Sequence, residues 1–188
     1  MGKLATILLL FQILNASISQ AGLPVQITGP SAVSGKEVSV KAGGRGLVVT
    51  FLSAKCPCSD SHVAVLKDLS AKFKEFSFVA IHSNFDEAAD LTKAYFSAAK
   101  LPFDVIQDTK SAYADQFKAL KTPHVFVVSP SGEVLYQGGV TDSANATTAK
   151  KNFLLAALTN VQEGHKVEVA NGRTLGCFIQ RDDSKNEW

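Results

Sequence analysis

The 188 residues contain only three cysteines, one methionine and one tryptophan. Three cysteines are too few to staple a chain of this length in place of a hydrophobic core, which excludes a disulfide-rich mini-scaffold. No apolar run reaches the ~20 residues that span a bilayer, so no stable membrane insertion of the mature chain is expected. Charge of one sign is also scarce: 19 Lys plus Arg stand against 17 Asp plus Glu, a formal net charge of +2, and no basic run offers a footprint for nucleic acid. Internal repeats and low-complexity linkers are absent. What is present is 46% hydrophobic residues, including 12 Phe, enough to pack one domain.

The first 21 residues read differently from the rest. Lys3 precedes an apolar stretch from Leu4 to Leu14, and Ser19-Gln20-Ala21 sets small residues at the −3 and −1 positions of a cleavage site. This pattern predicts a secretory signal peptide over residues 1–21, cleaved after Ala21, and a periplasmic or secreted mature chain from residue 22 to 188. Disulfides can persist there.

From Gly22 onward, strand and helix patterns alternate. Val25 to Thr28 and Glu37 to Ala42 read as a β-hairpin through Ser34-Gly35-Lys36, and the apolar run Leu47 to Leu52 reads as a central strand buried on both faces. Lys55-Cys56-Pro57-Cys58 follows, then Val63, Leu66, Leu69 and Phe73 at helical spacing, so a helix is expected to begin near Ser59 or Asp60. Further strands are expected over 76–81 and 103–107 and helices over 86–99 and 111–120. A hairpin turns through Ser129-Pro130-Ser131-Gly132, a helix covers 147–162, and a less regular extension runs from about 164. The pattern implies an α/β fold with a mixed sheet covered by helices on both faces.

A buried strand, a Cys-Pro-Cys at the next helix start, Thr122-Pro123 before a late hairpin strand and a closing helix together resemble the thioredoxin superfamily, most of all its peroxiredoxin-like, redoxin branch. The likeness spans about Pro24 to Ile179, and its most telling stretches are FLSAKCPCSDSH, KTPHVFVVSPSGEVLYQGG and GCFI. It implies the three-layer thioredoxin-like fold, a nucleophile at Cys56, and a cis Pro123 facing it. It also implies a resolving role for Cys177.

Cys56 merits attention on physical grounds alone. A thiolate at a helix N-terminus is stabilised by unpaired backbone N–H groups and the helix dipole, and Lys55 adds a neighbouring positive charge. Pro57 pushes Cys56 toward an extended conformation, and two extended steps span roughly 6.6 to 7.2 Å, at or beyond the ~4.4 to 6.8 Å Cα separation that a disulfide prefers. A Cys56–Cys58 bond is then strained, and with the resolving role that the resemblance implies for Cys177, Cys56–Cys177 is the expected resting disulfide if the tail folds back over the site.

Three chemistries remain open. In the first, a thiol–disulfide oxidoreductase acts on protein thiols and disulfides with an unidentified reductant and no organic cofactor, Cys58 or Cys177 resolving the mixed intermediate. In the second, a thiol peroxidase acts on peroxides. For it, the family resemblance asks for a hydroxyl three residues before Cys56, met by Ser53, and a proline seven before, where Val49 stands. It also asks for a distant arginine, yet none occurs between Arg45 and Arg173, leaving Lys55 or Lys121 as substitutes. The third is Cu(I) carriage by Cys56, Cys58, His62 and His124, two soft thiolates with imidazoles. His82, Ser83 and Asn84 at a strand end are candidates to line the cleft or, with Asp86, to cap the next helix. Asn145-Ala146-Thr147 fits a glycosylation sequon.

Overall fold

The computed structural model describes residues 22–182; the expected signal peptide over 1–21 and Trp188 lie outside the described residues. A hairpin of β1 (Gln26–Pro30) and β2 (Glu37–Lys41) precedes β3 (Gly46–Phe51), every residue of which is buried. Then come α1 (Pro57–Lys72), β4 (Phe76–His82), α2 (Ala89–Ala99), β5 (Val105–Gln107) and the short α3 (Ala112–Gln116). The chain closes through β6 (Lys121–Thr122), β7 (His124–Val128), β8 (Val134–Gly138), α4 (Phe153–Gln162) and β9 (Cys177–Phe178).

The central sheet has the order β5-β4-β3-β7-β8, with β3, β4 and β5 parallel and β7 and β8 antiparallel. Side chains alternate across β3. Val48 packs with Leu66 and Leu69 of α1, Phe96 of α2 and Leu154 and Leu158 of α4, whereas Leu47, Val49 and Phe51 pack with Ile27 of β1, Ala114 of α3, and Ile179. Both faces are thus covered, which is why β3 reads as an unbroken apolar run.

Several boundaries differ from the sequence reading, each for a local reason. Helix α1 begins at Pro57, with Cys56 as its N-cap, rather than at Ser59 or Asp60. Proline's fixed φ and missing N–H cost nothing at a first helical position. Helix α2 begins at Ala89, so Asp86 does not cap it. Helix α3 stops early because Lys118 takes a left-handed φ of 52°. Helix α4 starts at Phe153, where Asn152 Oδ1 accepts from the Leu155 amide at 2.9 Å, and residues 146–148 form only a 3-10 turn. Asn145 Oδ1 accepts from the Thr147 amide at 3.0 Å within that turn.

After α4 the chain returns along the sheet edge. Gly172 donates to the Gln137 carbonyl at 2.8 Å, and β9 then pairs antiparallel with β6, setting Cys177 opposite Thr122.

Candidate functional site

The site lies where β3 hands over to α1. Extended backbone at Cys56 (φ −84°, ψ 113°) is what a following proline enforces, and it turns the residue into the helix N-cap. Only one of the two steps to Cys58 is extended, because Pro57 already belongs to α1. The span between those cysteines is therefore shorter than two extended steps would give. Cys56 is buried, with 3% of its surface exposed, and its Sγ lies 3.2 Å from the Thr122 carbonyl, to which it donates when protonated. Thr122 and Pro123 are joined by a cis peptide bond, as the resemblance implies.

The tail brings Cys177 to the same point. Its Sγ lies 2.8 Å from that of Cys56, and the sulfurs of Cys56, Cys58 and Cys177 all fall within 4.8 Å of one another. Gly176 permits the approach: a Cβ there would overlap the Thr122 carbonyl, and its φ of 154° is one that L side chains rarely adopt.

These contacts set the protonation order. Burial alone would push the Cys56 thiol up, but hydrogen bonding from the Cys177 thiol and from the Ser59 and Cys177 amides outweighs it and brings the group down to about 7. Cys177 is pushed up to about 12, first by its hydrogen bond to Cys56 and then by burial and the Cys56 charge. Burial and the Cys56 charge also raise Cys58. Cys56 is thus the thiolate near neutrality, and Cys177 keeps its proton.

Lys55 does not supply the activating charge expected of it. Its ammonium donates to the Asp86 carbonyl at 2.7 Å and lies 3.7 Å from the Asp86 carboxylate. Ser53 is also committed elsewhere: its hydroxyl donates to Glu87 while its oxygen accepts the Lys55 amide at 3.2 Å.

Glu87 is the residue that sequence reasoning missed. Its carboxylate is buried and accepts from the Ser53 hydroxyl, from the Ala54 amide at 2.7 Å and from His82 Nε2 at 3.0 Å, pinning the segment before Cys56 to the end of β4. Burial works against its charge, yet these bonds hold it below the usual carboxylate value. An acidic residue beside Asp86 in a loop looks like solvated charge, and its partners are distant in sequence, so no local pattern marks it.

The His62 and His124 ligand set is corrected by geometry. His62 turns inward, its Nδ1 donating to the Cys58 carbonyl at 2.7 Å and its Nε2 meeting the Thr141 hydroxyl at 2.8 Å, so both ring nitrogens are taken. His124 lies against Phe126 with ring centroids 4.4 Å apart, and burial pushes it down to about 4. Neither joins the sulfurs in a cluster of three or more among the described residues. Of the strand-end trio, His82 and Ser83 are buried behind the site, Ser83 donating to Asp108 at 2.7 Å, while Asn84 lines the cleft and accepts the Gln180 amide at 2.8 Å. That cleft, of about 160 Å³, is also bordered by Ser53, Lys55, Glu87, Cys177 and Phe178.

The fold is thioredoxin-like. It is similar to an uncharacterized conserved protein from Geobacillus kaustophilus at a TM-score of 0.76, with 23% identity, covering 86% of this chain and 91% of that one. A thiol-disulfide oxidoreductase from Bacteroides fragilis (TM-score 0.52, 23% identity, 62% of this chain and 89% of that one) shares the fold. So does a peroxidoxin from Mycobacterium tuberculosis (TM-score 0.56, 14% identity, 76% and 95%). No curated protein matches the sequence. Residues 30–181 match the family model described as a domain of unknown function, DUF6436, and the chain belongs to that family.

Proposed function

We propose that the protein is a thiol–disulfide oxidoreductase of the thioredoxin and redoxin type that works outside the cytosol, with Cys56 as nucleophile and Cys177 as resolving thiol. The observation that carries this reading is the 2.8 Å approach of the Cys177 sulfur to a Cys56 sulfur seated at a helix N-terminus. The Cys56 thiolate attacks one sulfur of a substrate disulfide; a mixed disulfide forms and the other substrate sulfur leaves as a thiolate that takes a proton. Cys177 then attacks Cys56 Sγ and gives its proton to the second departing substrate thiolate. The substrate disulfide gains two electrons as two thiols, and Cys56–Cys177 is the oxidised product, which a dithiol reductant restores. The same exchanges in reverse oxidise a dithiol. The amino-terminal Leu4–Leu14 pattern supports action outside the cytosol.

The peroxidase alternative finds less support. Ser53 gives its proton to Glu87, Arg45 pairs with Glu75 at 3.3 Å, and Arg181 pairs with Asp115 at 2.8 Å, so these groups are engaged away from a peroxide at Cys56.

Peptide mapping of the oxidised protein tests the scheme: Cys56–Cys177 should be linked with Cys58 free, and Cys177→Ser should accumulate mixed disulfides with a model disulfide substrate. A dominant Cys56–Cys58 bond, or undiminished exchange by Cys56→Ser, would overturn it.

A further inference from the structure

Exchange through Cys56 and Cys177 leaves one thiol without a task. Cys58 sits in the first turn of α1, and its sulfur still falls within the 4.8 Å set. Three ligands about 2.3 Å from one ion, the usual metal–thiolate distance, and 120° apart stand about 4 Å from one another. The observed cluster therefore needs only the Cys56 and Cys177 sulfurs, now 2.8 Å apart, to spread by about 1 Å for an ion to enter. Cys177 is exposed and Cys56 is buried, so one ligand can swing at the surface while the other stays fixed.

We propose that the reduced protein holds one Cu(I) ion on Cys56, Cys58 and Cys177. The donor set selects the ion. All three ligands are soft sulfurs, which suits Cu(I) in a three-coordinate site, whereas a closed structural zinc site takes four protein ligands and the cluster has three among the described residues. Of the two histidines that sequence spacing suggested, His62 has both ring nitrogens engaged, with Thr141 and Cys58, and His124, packed on Phe126 with its Nδ1 unpartnered, does not join the three sulfurs among the described residues. Binding makes three Cu–S bonds; the Cys58 and Cys177 thiols, and whatever fraction of Cys56 is still protonated, lose their protons to solvent, and no oxidation state changes.

One consequence couples the site to the exchange chemistry. A Cys56–Cys177 disulfide consumes two of the three ligands, so oxidation by a disulfide substrate expels the copper, and bound copper withholds the nucleophile. Copper occupancy and disulfide exchange are mutually exclusive states of one cluster.

The test is titration of the fully reduced protein with Cu(I) against a chromogenic Cu(I) chelator, with X-ray absorption on the product. The expected result is one copper per chain with three sulfur neighbours. Cys58→Ser should weaken retention by at least about a hundredfold, beyond what changes outside the ligand shell usually cost. The disulfide form should retain none, and His62→Gln should bind as wild type does. Retention unaltered by Cys58→Ser, equal retention by the disulfide form, or a nitrogen-rich coordination shell would overturn the site. If the reduced wild type holds no copper but still exchanges disulfides, the copper site fails and the oxidoreductase reading stands.

Discussion

Replacing Gly176 by alanine tests the arrangement at its tightest point. The added methyl meets the Thr122 carbonyl, which is backbone of β6 and cannot swing away like a flexible side chain. Thr122 is followed by β7, inside the central sheet, so the tail is the partner that yields. The tail is docked by the Ile179 amide on the Leu120 carbonyl (3.0 Å), the Gln180 amide on Asn84 (2.8 Å) and the Phe85 amide on the Gln180 carbonyl (2.9 Å). At about 1 kcal/mol each, with about 2 kcal/mol for burial of Ile179, docking is worth roughly 5 kcal/mol before the entropy of ordering the tail. Overpacking a methyl costs about 1 to 3 kcal/mol. The tail therefore loosens without being lost, and Cys177 meets Cys56 roughly 10- to 100-fold less effectively. A disulfide destabilised by that amount has a potential about 30 to 60 mV more oxidising. Equilibration of Gly176→Ala with glutathione redox buffers reads the shift. Gly35→Ala is the control, since Gly35 also has a positive φ of 71° but nothing lies within 4 Å of its Cβ position. An unaltered Cys56–Cys177 potential in Gly176→Ala would refute the claim that this contact sets the approach of the tail.

Alkylation rates against pH should place the Cys56 midpoint near about 7, and Cys177→Ala should raise it by removing the donor; a wild-type midpoint at the ordinary thiol value of 9.0 would contradict this. Glu87→Gln should destabilise the fold by about 3 kcal/mol, because it removes a buried carboxylate that accepts from Ser53, Ala54 and His82, and lower the melting temperature by roughly 10 °C in calorimetry. Because the folded chain holds the Glu87 carboxyl below its ordinary 4.5, the network's contribution is present above that pH and is lost as pH falls through the folded value. Wild-type stability should therefore drop below about pH 4.5 more steeply than that of Glu87→Gln, as acid denaturation curves would show.

Much of the fold was legible because it rests on local periodicity. The β3 run is apolar at every position since both of its faces are covered, and the β7–β8 turn carries its own proline and glycine. What misled were ends set by single hydrogen bonds. The last helix was expected from about 147, but Asn152 caps α4 five residues later, and the left-handed Lys118 cuts α3 short where its residues could have continued it. Such stops depend on the loop that receives the chain, which no window of periodicity contains.

The site divides in the same way. The place of Cys56 at a helix start was readable because Pro57 and the apolar spacing after it are local signals. His62 was misread because spacing of four placed it over Cys58, where the group it reaches is the Cys58 carbonyl of the preceding turn rather than the thiol. Lys55 was misread because adjacency in sequence is not adjacency of charge, its ammonium having gone to Asp86. In place of that cation, Cys56 is made acidic by a thiol 121 residues away and by the amide of Ser59. The tail that lends this hydrogen bond also covers the thiolate it stabilises, leaving Cys56 at 3% exposure. In the proposed exchange scheme, a bulky disulfide reaches Cys56 Sγ only when the tail moves aside, and loss of the Cys177 hydrogen bond then lowers the thiolate fraction while making the remaining thiolate more nucleophilic.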